Sequence, residues 1–305
     1  MALESVGMIG LGIMGSAMSA NLIKAGFEVI GFDVLPERRE NHKKMGGTPA
    51  RNCSAVAKSS SIIVTSLPSP EALLDTAAVL GSSPRTNQLV IETSTLPIPV
   101  KEEAWRVLRA RGVTLLDCPL SGTGAQARAK DLIVYASGDR KAYRRTAPVL
   151  EGFARAHYYI GAFGAGSKMK FVANLLVAIH NVAAAEAIVL GIKSGLEPEM
   201  LLKVISDGAG NSRMLEVRGP MMVKGDYSQA TMKVRTWQKD MMIIGDFARK
   251  LECPTPLLSA CATVYTAAMA MGLGSADTAS VCAVLERMAN HPRSSARRRG
   301  RLQTH

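Results

Sequence analysis

Short apolar runs alternate with segments of helical spacing along the first half of the chain. This alternation is the sequence pattern of a parallel sheet with helices packed on its faces. We predict strands at residues 6–9, 28–33, 61–67, 88–93, 113–117, 131–136 and 156–160.

The pattern changes after Gly166. Strand-like runs stop, and stretches rich in Ala, Leu, Met and Glu with helical spacing replace them. We predict helices at residues 168–194, 198–207, 236–251, 257–271 and 277–288. The second half is therefore expected to be all helical.

Length and composition support a folded protein of about two domains. The chain has 305 residues, of which 47% are hydrophobic and 20% charged. A chain this apolar can bury enough surface to offset the entropy of ordering, which excludes low-complexity disorder.

A membrane span and a secretion signal are not expected. The longest apolar stretch, residues 171–196, is interrupted by Asn174, His180, Asn181, Glu186 and Lys193. No cationic segment precedes the first apolar run, so the predicted compartment is the cytoplasm.

The cysteines and histidines do not indicate a metal site. The spacing of the five histidines does not fit a metal motif, and the cysteines form no Cys-x-x-Cys pair. We expect the cysteines to be reduced thiols in the core. They are Cys53, Cys118, Cys253, Cys261 and Cys282.

The net charge of +12 owes much to one end of the chain. Five arginines lie between Arg293 and Arg301, and without them the net charge is +7. We predict a disordered basic tail at residues 293–305, with a weak polyanion contact as the alternative. Aromatic residues make up only 5% of the chain and do not alternate with basic ones, so no nucleic-acid partner is expected.

A glycine pattern directly follows the first predicted strand and opens a segment of helical spacing. Glycines at this spacing allow a tight turn, a close approach to a pyrophosphate and close packing of helix on strand. The helix N-terminus adds N–H groups and a positive dipole. The predicted cofactor loop consists of Gly10, Leu11, Gly12, Ile13, Met14 and Gly15.

Asp33 ends the second predicted strand, where an acidic residue can accept hydrogen bonds from an adenosine ribose. Its charge would repel a 2′-phosphate, which favours NAD over NADP. Arg38 and Arg39 follow closely, so NADP stays possible. We therefore predict a doubly wound, mostly parallel α/β Rossmann domain over residues 1–163. An all-α domain over residues 164–292 would follow, joined by a long interdomain helix.

Four segments resemble the β-hydroxyacid dehydrogenases, the family of 3-hydroxyisobutyrate dehydrogenase and tartronate semialdehyde reductase, related to 6-phosphogluconate dehydrogenase. The segments are residues 6–15, 117–122, 164–174 and 239–240, and the resemblance extends over residues 6–288. It implies a catalytic lysine at Lys170 and an orienting asparagine at Asn174. These residues are four apart, so on a helix they share one face.

The resemblance also implies how the ligands are held. Ser121 and Gly122 match the loop that binds the substrate carboxylate, and Thr123, the third residue of this predicted site, replaces the family's second glycine. The family's Asn-Asn pair is Ala173-Asn174 here, so the substrate stays open. Further predicted cofactor contacts are Leu67, Pro68, Thr95 and Lys239, and Asp240 is a structural partner of Lys239.

The implied reaction is hydride transfer between NAD and a small 3-hydroxy acid, with Lys170 moving the hydroxyl proton. A free lysine titrates near pH ~10.4, so burial or a like charge such as Lys168 must lower its pKa. Imine reductases, which typically lack this lysine, are disfavoured. His180 is assigned to packing, as are Met221, Met222, Met241 and Met242.

Two other functions stay open. One is oxidation of a longer polyhydroxy acid, such as a threonate-like aldonate, and the other is cofactor binding without catalysis. In either case we expect a homodimer or homotetramer, with the site between the domains.

Overall fold

A computed structural model of the chain describes residues 5–82 and 84–291. The chain forms two compact units, Met1–Ala173 and Asn174–His305. The predicted basic tail lies outside the described residues.

The first unit is built on a nine-stranded sheet with the strand order β3-β2-β1-β4-β5-β6-β8-β7, and β9 pairs with β8. Strands β1 to β6 are parallel to their neighbours, whereas β8 is antiparallel to β6 and β7 and parallel to β9. The strands are Val6–Ile9 (β1), Val29–Phe32 (β2), Thr48–Pro49 (β3), Ile62–Thr65 (β4), Leu89–Glu92 (β5), Thr114–Asp117 (β6), Leu120–Ser121 (β7), Ile133–Ser137 (β8) and Ala156–Gly161 (β9).

Helices cover both faces of this sheet, so the central strands are buried on both sides and are apolar without alternation. The chain order changes direction between β1 and β4, and open parallel sheets bind ligands outside the carboxyl ends of their strands at such a point. The helices are Ile13–Lys24 (α1), Pro36–Lys44 (α2), Cys53–Ser59 (α3), Pro70–Ser82 (α4), Ile98–Arg109 (α5), Gly124–Arg128 (α6) and Arg140–Phe153 (α7).

The second unit is helical over its described residues. Its first helix, α8, begins within the first unit, and the division between the units falls inside it. The helices are Ala165–Lys193 (α8), Pro198–Asp207 (α9), Arg213–Lys224 (α10), Val234–Lys250 (α11), Pro256–Ala270 (α12) and Val281–Met288 (α13). By length and composition alone α8 could cross a membrane, but buried helices of soluble proteins pass the same test.

The predicted fold class is confirmed, and all seven predicted strands are present. Strands β3 and β7 were not predicted, because they are two residues long and leave no periodic signal. Helix α10 was not predicted either, because adjacent Gly219 and Pro220 lower helix propensity. Burial of Leu215, Met222 and Val223 holds that segment helical.

Other sequence predictions need correction. Residues 278–280 form a 3-10 turn before α13, with Asp277 as its N-cap, so the last helix is shorter than predicted. Cys118, Cys261 and Cys282 are buried thiols, but Cys253 is exposed. Met242 is likewise 64% exposed, so it does not fill the core.

Candidate functional site

The predicted cofactor loop joins β1 to α1 at the carboxyl edge of the sheet. Gly10 has a φ of +92°, and a Cβ there would overlap the Ser66 carbonyl oxygen. A Cβ on Gly15 would overlap the Gly10 carbonyl oxygen. Gly10 is therefore required by its positive φ and by the loop after β4 that lies against it, and Gly15 is required because the first turn of α1 lies against the Gly10 carbonyl group.

Gly12 is the N-cap of α1, and the nearest atom to a Cβ placed there would be an Arg38 nitrogen at 3.8 Å. The space beside this backbone is therefore open to a ligand. The first N–H groups of a helix have no partner within the helix and attract anions. Ile13 is largely exposed and Met14 partly so at this end of α1. The loop fits the pyrophosphate of a dinucleotide.

Asp33, the predicted ribose contact, follows β2 and is buried, and its carboxylate accepts three hydrogen bonds from the surrounding protein. Oδ2 accepts hydrogen bonds from Leu11 N at 2.8 Å and Arg38 Nη1 at 3.1 Å. Oδ1 accepts one from Leu35 N at 3.0 Å. A carboxylate has about four acceptor positions, so one is left for a ribose hydroxyl. Leu11 thus contributes its N–H to Asp33.

The two arginines after Asp33 are held differently. Arg39 donates to the Asp33 carbonyl oxygen at 2.6 Å, and its guanidinium lies 5.7 Å from the centre of the Phe32 ring. Arg38 is 43% exposed, and its Nη1 donates to Oδ2 of the Asp33 carboxylate. Arg38 is therefore the more available cation beside the ribose position.

Two further loops follow the neighbouring strands at the same edge. Leu67 N donates to Ser94 Oγ at 2.8 Å, which joins the loop after β4 to the loop after β5. Leu67 and Thr95 are half-buried and Pro68 is exposed. These three residues, all predicted to line the nucleotide, thus lie on loops that the sheet places beside each other.

The predicted carboxylate-binding segment includes β7 and the start of α6. Ser121 pairs with Ile133 of β8, and Gly122 has a φ of +137°. Thr123 is the N-cap of α6 and forms a capping box with Gln126. The Thr123 hydroxyl is therefore already used within the protein. Ser121, Gly122 and Thr123 are all half-buried.

Helix α8 carries the two residues predicted to act on the substrate. Lys170 and Asn174 are both buried, whereas Lys168 is exposed. A separation of two residues turns Lys168 about 200° away from Lys170 around a helix, so it does not supply the like charge that the sequence suggested. Residues four apart share a face, as predicted for Lys170 and Asn174.

Within the second unit, Asp240 of α11 holds Asn174. The Asn174 side-chain Nδ2 donates to Asp240 Oδ2 at 3.2 Å. The neighbouring Lys239 places its Nζ 3.6 Å from Asp240 Oδ1 and is partly exposed. Asp240 thus orients the amide of Asn174 and forms an ion pair with Lys239, the predicted cofactor contact.

His180 is half-buried and lines a cavity of about 270 Å³ in the second unit. Asn211, Ser212, Leu215 and small residues of α8 line the same cavity. His180 is not a packed core residue as the sequence suggested. Among the described residues, no group of three or more His, Cys, Asp and Glu side chains could hold a metal ion.

Sequence reasoning missed a buried group of charged residues in the first unit, namely Glu92, Lys101 and Asp117. Glu92 and Asp117 end the apolar strands β5 and β6, and an acidic residue in that position was the available signal. Lys101 left no such signal, because a helix lysine is normally solvated.

Two family models match consecutive parts of the chain. Residues 5–161 match the NAD binding domain of 6-phosphogluconate dehydrogenase, and residues 164–285 match the NAD-binding region of NADP-dependent 3-hydroxyisobutyrate dehydrogenase. The predicted boundary between residues 163 and 164 stays a prediction.

Characterised relatives agree with these matches. An L-threonate dehydrogenase of Cupriavidus necator is 34% identical over 282 residues, which are 91% of this chain and 95% of that protein. A chloroplastic glyoxylate/succinic semialdehyde reductase of Arabidopsis thaliana is 30% identical over 287 residues, which are 92% of this chain and 79% of that protein. The structure of 3-hydroxyisobutyrate dehydrogenase from Mycobacterium tuberculosis with L-serine has a TM-score of 0.85 at 29% identity, covering 93% and 99% of the two chains.

A dinucleotide-binding sheet and a helical second unit together define a nicotinamide-dependent oxidoreductase. The chain belongs to the β-hydroxyacid dehydrogenase family, related to 6-phosphogluconate dehydrogenase. It is an NAD(P)-dependent hydroxyacid dehydrogenase that acts on small hydroxy acids.

Proposed function

We propose that this enzyme transfers hydride between NAD and a small 3-hydroxy acid, with Lys170 as the general acid and base. The observation that carries the proposal is a buried lysine on α8, one helical turn before an asparagine whose amide is fixed by Asp240. A solvated surface lysine, the ordinary fate of this residue type, would not be buried.

The cofactor would be held by the residues predicted from the sequence. The amides of the first turn of α1 would bind the pyrophosphate beside Gly12, and Asp33 would accept a ribose hydroxyl. When bound, the nicotinamide supplies or receives the hydride. The Asp33 charge supports NAD as the preferred form, whereas Arg38 keeps NADP accessible.

In the oxidation direction, neutral Lys170 Nζ accepts the proton of the substrate hydroxyl while hydride leaves the carbon that carries this hydroxyl. In reduction the Lys170 ammonium returns that proton to the oxygen. Asn174 orients the hydroxyl, and Ser121 with the backbone at Gly122 holds the carboxylate. Thr123 supports this loop as the N-cap of α6.

A second substrate class is favoured by the relatives. Several of them, from Cupriavidus, Haemophilus and Escherichia, are L-threonate dehydrogenases. A longer polyhydroxy acid of this kind would be oxidised at carbon 2. Both substrates present a hydroxyl and a carboxylate, so the residues above serve either one.

A substrate panel tests the proposal. NADH or NADPH formation is followed for 3-hydroxyisobutyrate, D-glycerate, L-serine and L-threonate with each cofactor. We expect the highest kcat/KM with NAD and a 3-hydroxy acid. Preference for L-threonate would select the second substrate class, and failure to oxidise any hydroxy acid of the panel with either cofactor would refute the proposed reaction.

We also propose that the enzyme is a homodimer or homotetramer. Exposed apolar residues recur along α8 at helical spacing, namely Met169, Val172, Leu176 and Leu190. An apolar stripe of this kind on a monomer marks a protein contact. The cytoplasm is the proposed compartment, and the free thiols of Cys118, Cys261 and Cys282 are compatible with reducing conditions.

A further inference from the structure

Three charged side chains form a cluster inside the first unit. Lys101 Nζ of α5 lies 2.6 Å from Glu92 Oε2 and 2.8 Å from Asp117 Oδ1. All three side chains are at most 1% exposed, so the ion cluster is fully enclosed. Apolar residues of similar volume are often at least as stabilising as a buried ion pair. Stability alone therefore does not account for these charges.

Lys101 is the cation that both carboxylates require. Burial acts to lower the Lys101 pKa, but the charges and hydrogen bonds of Asp117 and Glu92 outweigh it and raise this pKa above its ordinary value. Two carboxylates in contact with Nζ therefore favour the ammonium form of Lys101. Because Lys101 is enclosed, its ammonium group touches neither a bound substrate nor a bound cofactor, and any influence on them would pass through its two partners.

Asp117 connects the cluster to the first turn of α8. Its Oδ2 accepts a hydrogen bond from Ser167 N and its Oδ1 one from Ser167 Oγ, both at 2.8 Å. Gly166 N donates to Ser137 Oγ at 2.9 Å, and that hydroxyl also bonds to Asp117. A carboxylate is well placed there, since the first N–H groups of a helix lack helical partners. Lys170 follows Ser167 by three residues.

Glu92 connects the cluster to the predicted cofactor loops. Its Oε1 accepts a hydrogen bond from Ser94 N at 2.8 Å. Ser94 Oγ in turn accepts one from Leu67 N at 2.8 Å. One chain of ion pairs and hydrogen bonds therefore runs from the loops after β4 and β5, through Lys101, to the start of α8.

We propose that Lys101 is a positioning residue, which joins Glu92 to Asp117 and so fixes the position of the loops predicted to line the nucleotide relative to the helical turn that carries Lys170. The inference rests on the proposed function of that lysine. Hydride and proton transfer both require near-contact geometry, and an error of about 1 Å costs on the order of a hundredfold in rate.

Lys101→Met tests this role because methionine keeps most of the side-chain length and removes the charge. It leaves two buried carboxylates without their cation, which is a destabilising change. The double variant Glu92→Gln/Lys101→Met removes one charge of each sign and preserves the net charge of the cluster. Arg106→Met, at an exposed position of the same helix, is the matched control.

Kinetics distinguish positioning from general damage to the fold. With the best acid of the substrate panel, we expect kcat per folded active site to fall about thirtyfold or more in both Lys101 variants, with KM values for NAD and acid within about threefold. The primary deuterium isotope effect on kcat should rise as hydride transfer becomes rate-limiting. An unchanged isotope effect together with an unchanged kcat per folded site in the double variant would overturn the proposal.

Hydrogen exchange provides a readout independent of activity. The amides of residues 164–170 and 93–97 should exchange at least tenfold faster in the Lys101 variants than in wild type, while residues 36–44 of α2 and the Arg106→Met control stay unchanged. Equal exchange at residues 164–170 in all proteins would refute the coupling. If the wild type oxidises none of the acids, the proposed function fails, whereas exchange still decides whether Lys101 holds the start of α8.

Discussion

At the scale of single residues, the site is defined by charged groups whose exposure differs from that of their neighbours. Lys170 is buried and Lys168 is exposed, although both lie in the first turns of α8. Arg38 is partly free beside the Asp33 carboxylate, whereas Arg39 is fixed to the backbone and to Phe32. The sequence named these residues, but only their environments separate one lysine or arginine from the next.

Lys170→Ala should reduce kcat by about 10²- to 10⁴-fold, since positioned proton transfer contributes about that much. The Kd for NAD, measured by quenching of protein fluorescence, should stay within about twofold of wild type. Lys168→Ala is the control and should retain nearly full turnover. Near-normal turnover of the Lys170 variant would refute the proposed proton relay.

Arg38→Ala should lower kcat/KM for NADP by about tenfold while leaving kcat/KM for NAD within about threefold. The reason is that removal of the guanidinium leaves the Asp33 carboxylate to repel a 2′-phosphate without compensation. Steady-state kinetics with both cofactors measure the ratio. A wild type that uses NADP more efficiently than NAD would contradict the assignment of Asp33.

At the scale of secondary-structure elements, helix α8 is placed by a close approach as well as by hydrogen bonds. A Cβ on Gly166 would overlap the carbonyl oxygen of Tyr135 and lie 2.7 Å from that of Asp117. The first turn of α8 therefore lies directly against β6 and β8. Helix α2 is placed differently, through the buried His42, which bonds to Ser19 of α1 and the Val29 carbonyl of β2.

Gly166→Ala should lower the free energy of unfolding by about 3 kcal/mol, because the added methyl group has no space and α8 must shift. The matched control is Gly245→Ala in α11, where a Cβ would have no atom within 4 Å. Alanine at that position should stabilise the helix by about 0.5–1 kcal/mol. Urea unfolding checks both values, and equal effects of the two substitutions would show that α8 is not held by this contact.

The stability of the first unit should fall as the pH decreases below about 6.5. Burial lowers the pKa of His42 from its ordinary value of 6.5, although hydrogen bonds to backbone groups of Val29 and Thr48 oppose the shift. The unfolded chain then binds the proton more tightly than the folded one, so stability is fully present above pH 6.5 and is lost as the pH falls toward the folded pKa.

Urea unfolding at several pH values measures this loss of stability, which is about 1.4 kcal/mol for each pH unit that separates the folded and unfolded pKa values of His42. His42→Gln should flatten the pH dependence, whereas the exposed His291→Gln should not change it. An identical slope in the wild type and the His42 variant would remove His42 as the cause.

At the scale of the whole molecule, charge and apolar surface are distributed unevenly. Some charged side chains of the first unit, such as Lys101, are buried within its described residues. By contrast, apolar side chains near the beginning and near the end of α8 are exposed to solvent. Exposed apolar residues at helical spacing are costly in a monomer, which is the physical reason for the proposed self-association.

The double variant Val172→Lys/Leu176→Lys should dissociate the proposed oligomer, since both residues are exposed on α8 and a lysine ammonium resists burial. Light scattering after size-exclusion chromatography should show a monomer for this variant and a larger species for the wild type. Val107→Lys, at an exposed position of α5, should leave the mass unchanged. A monomeric wild type would refute the oligomer.

The sequence alone determined the fold class and the family, and it predicted the cofactor loop, because each depends on local signals. Glycine spacing after a strand, an acid at the end of the next strand and uninterrupted apolar runs are written in consecutive residues. The short strands β3 and β7 and helix α10 escaped, since long-range pairing and burial of Leu215, Met222 and Val223 decide them against weak local preference.

Only the tertiary structure decided which charged residues are buried and what they contact. Nothing in the sequence around Lys101 separates it from a surface lysine, and its two carboxylates come from strands 9 and 16 residues away. Likewise Asp240 meets Asn174 across 66 residues. The energy of an ion pair depends on the distance between the charges and on the loss of water around them. Neither quantity can be deduced from the residues that neighbour a charged side chain in the sequence.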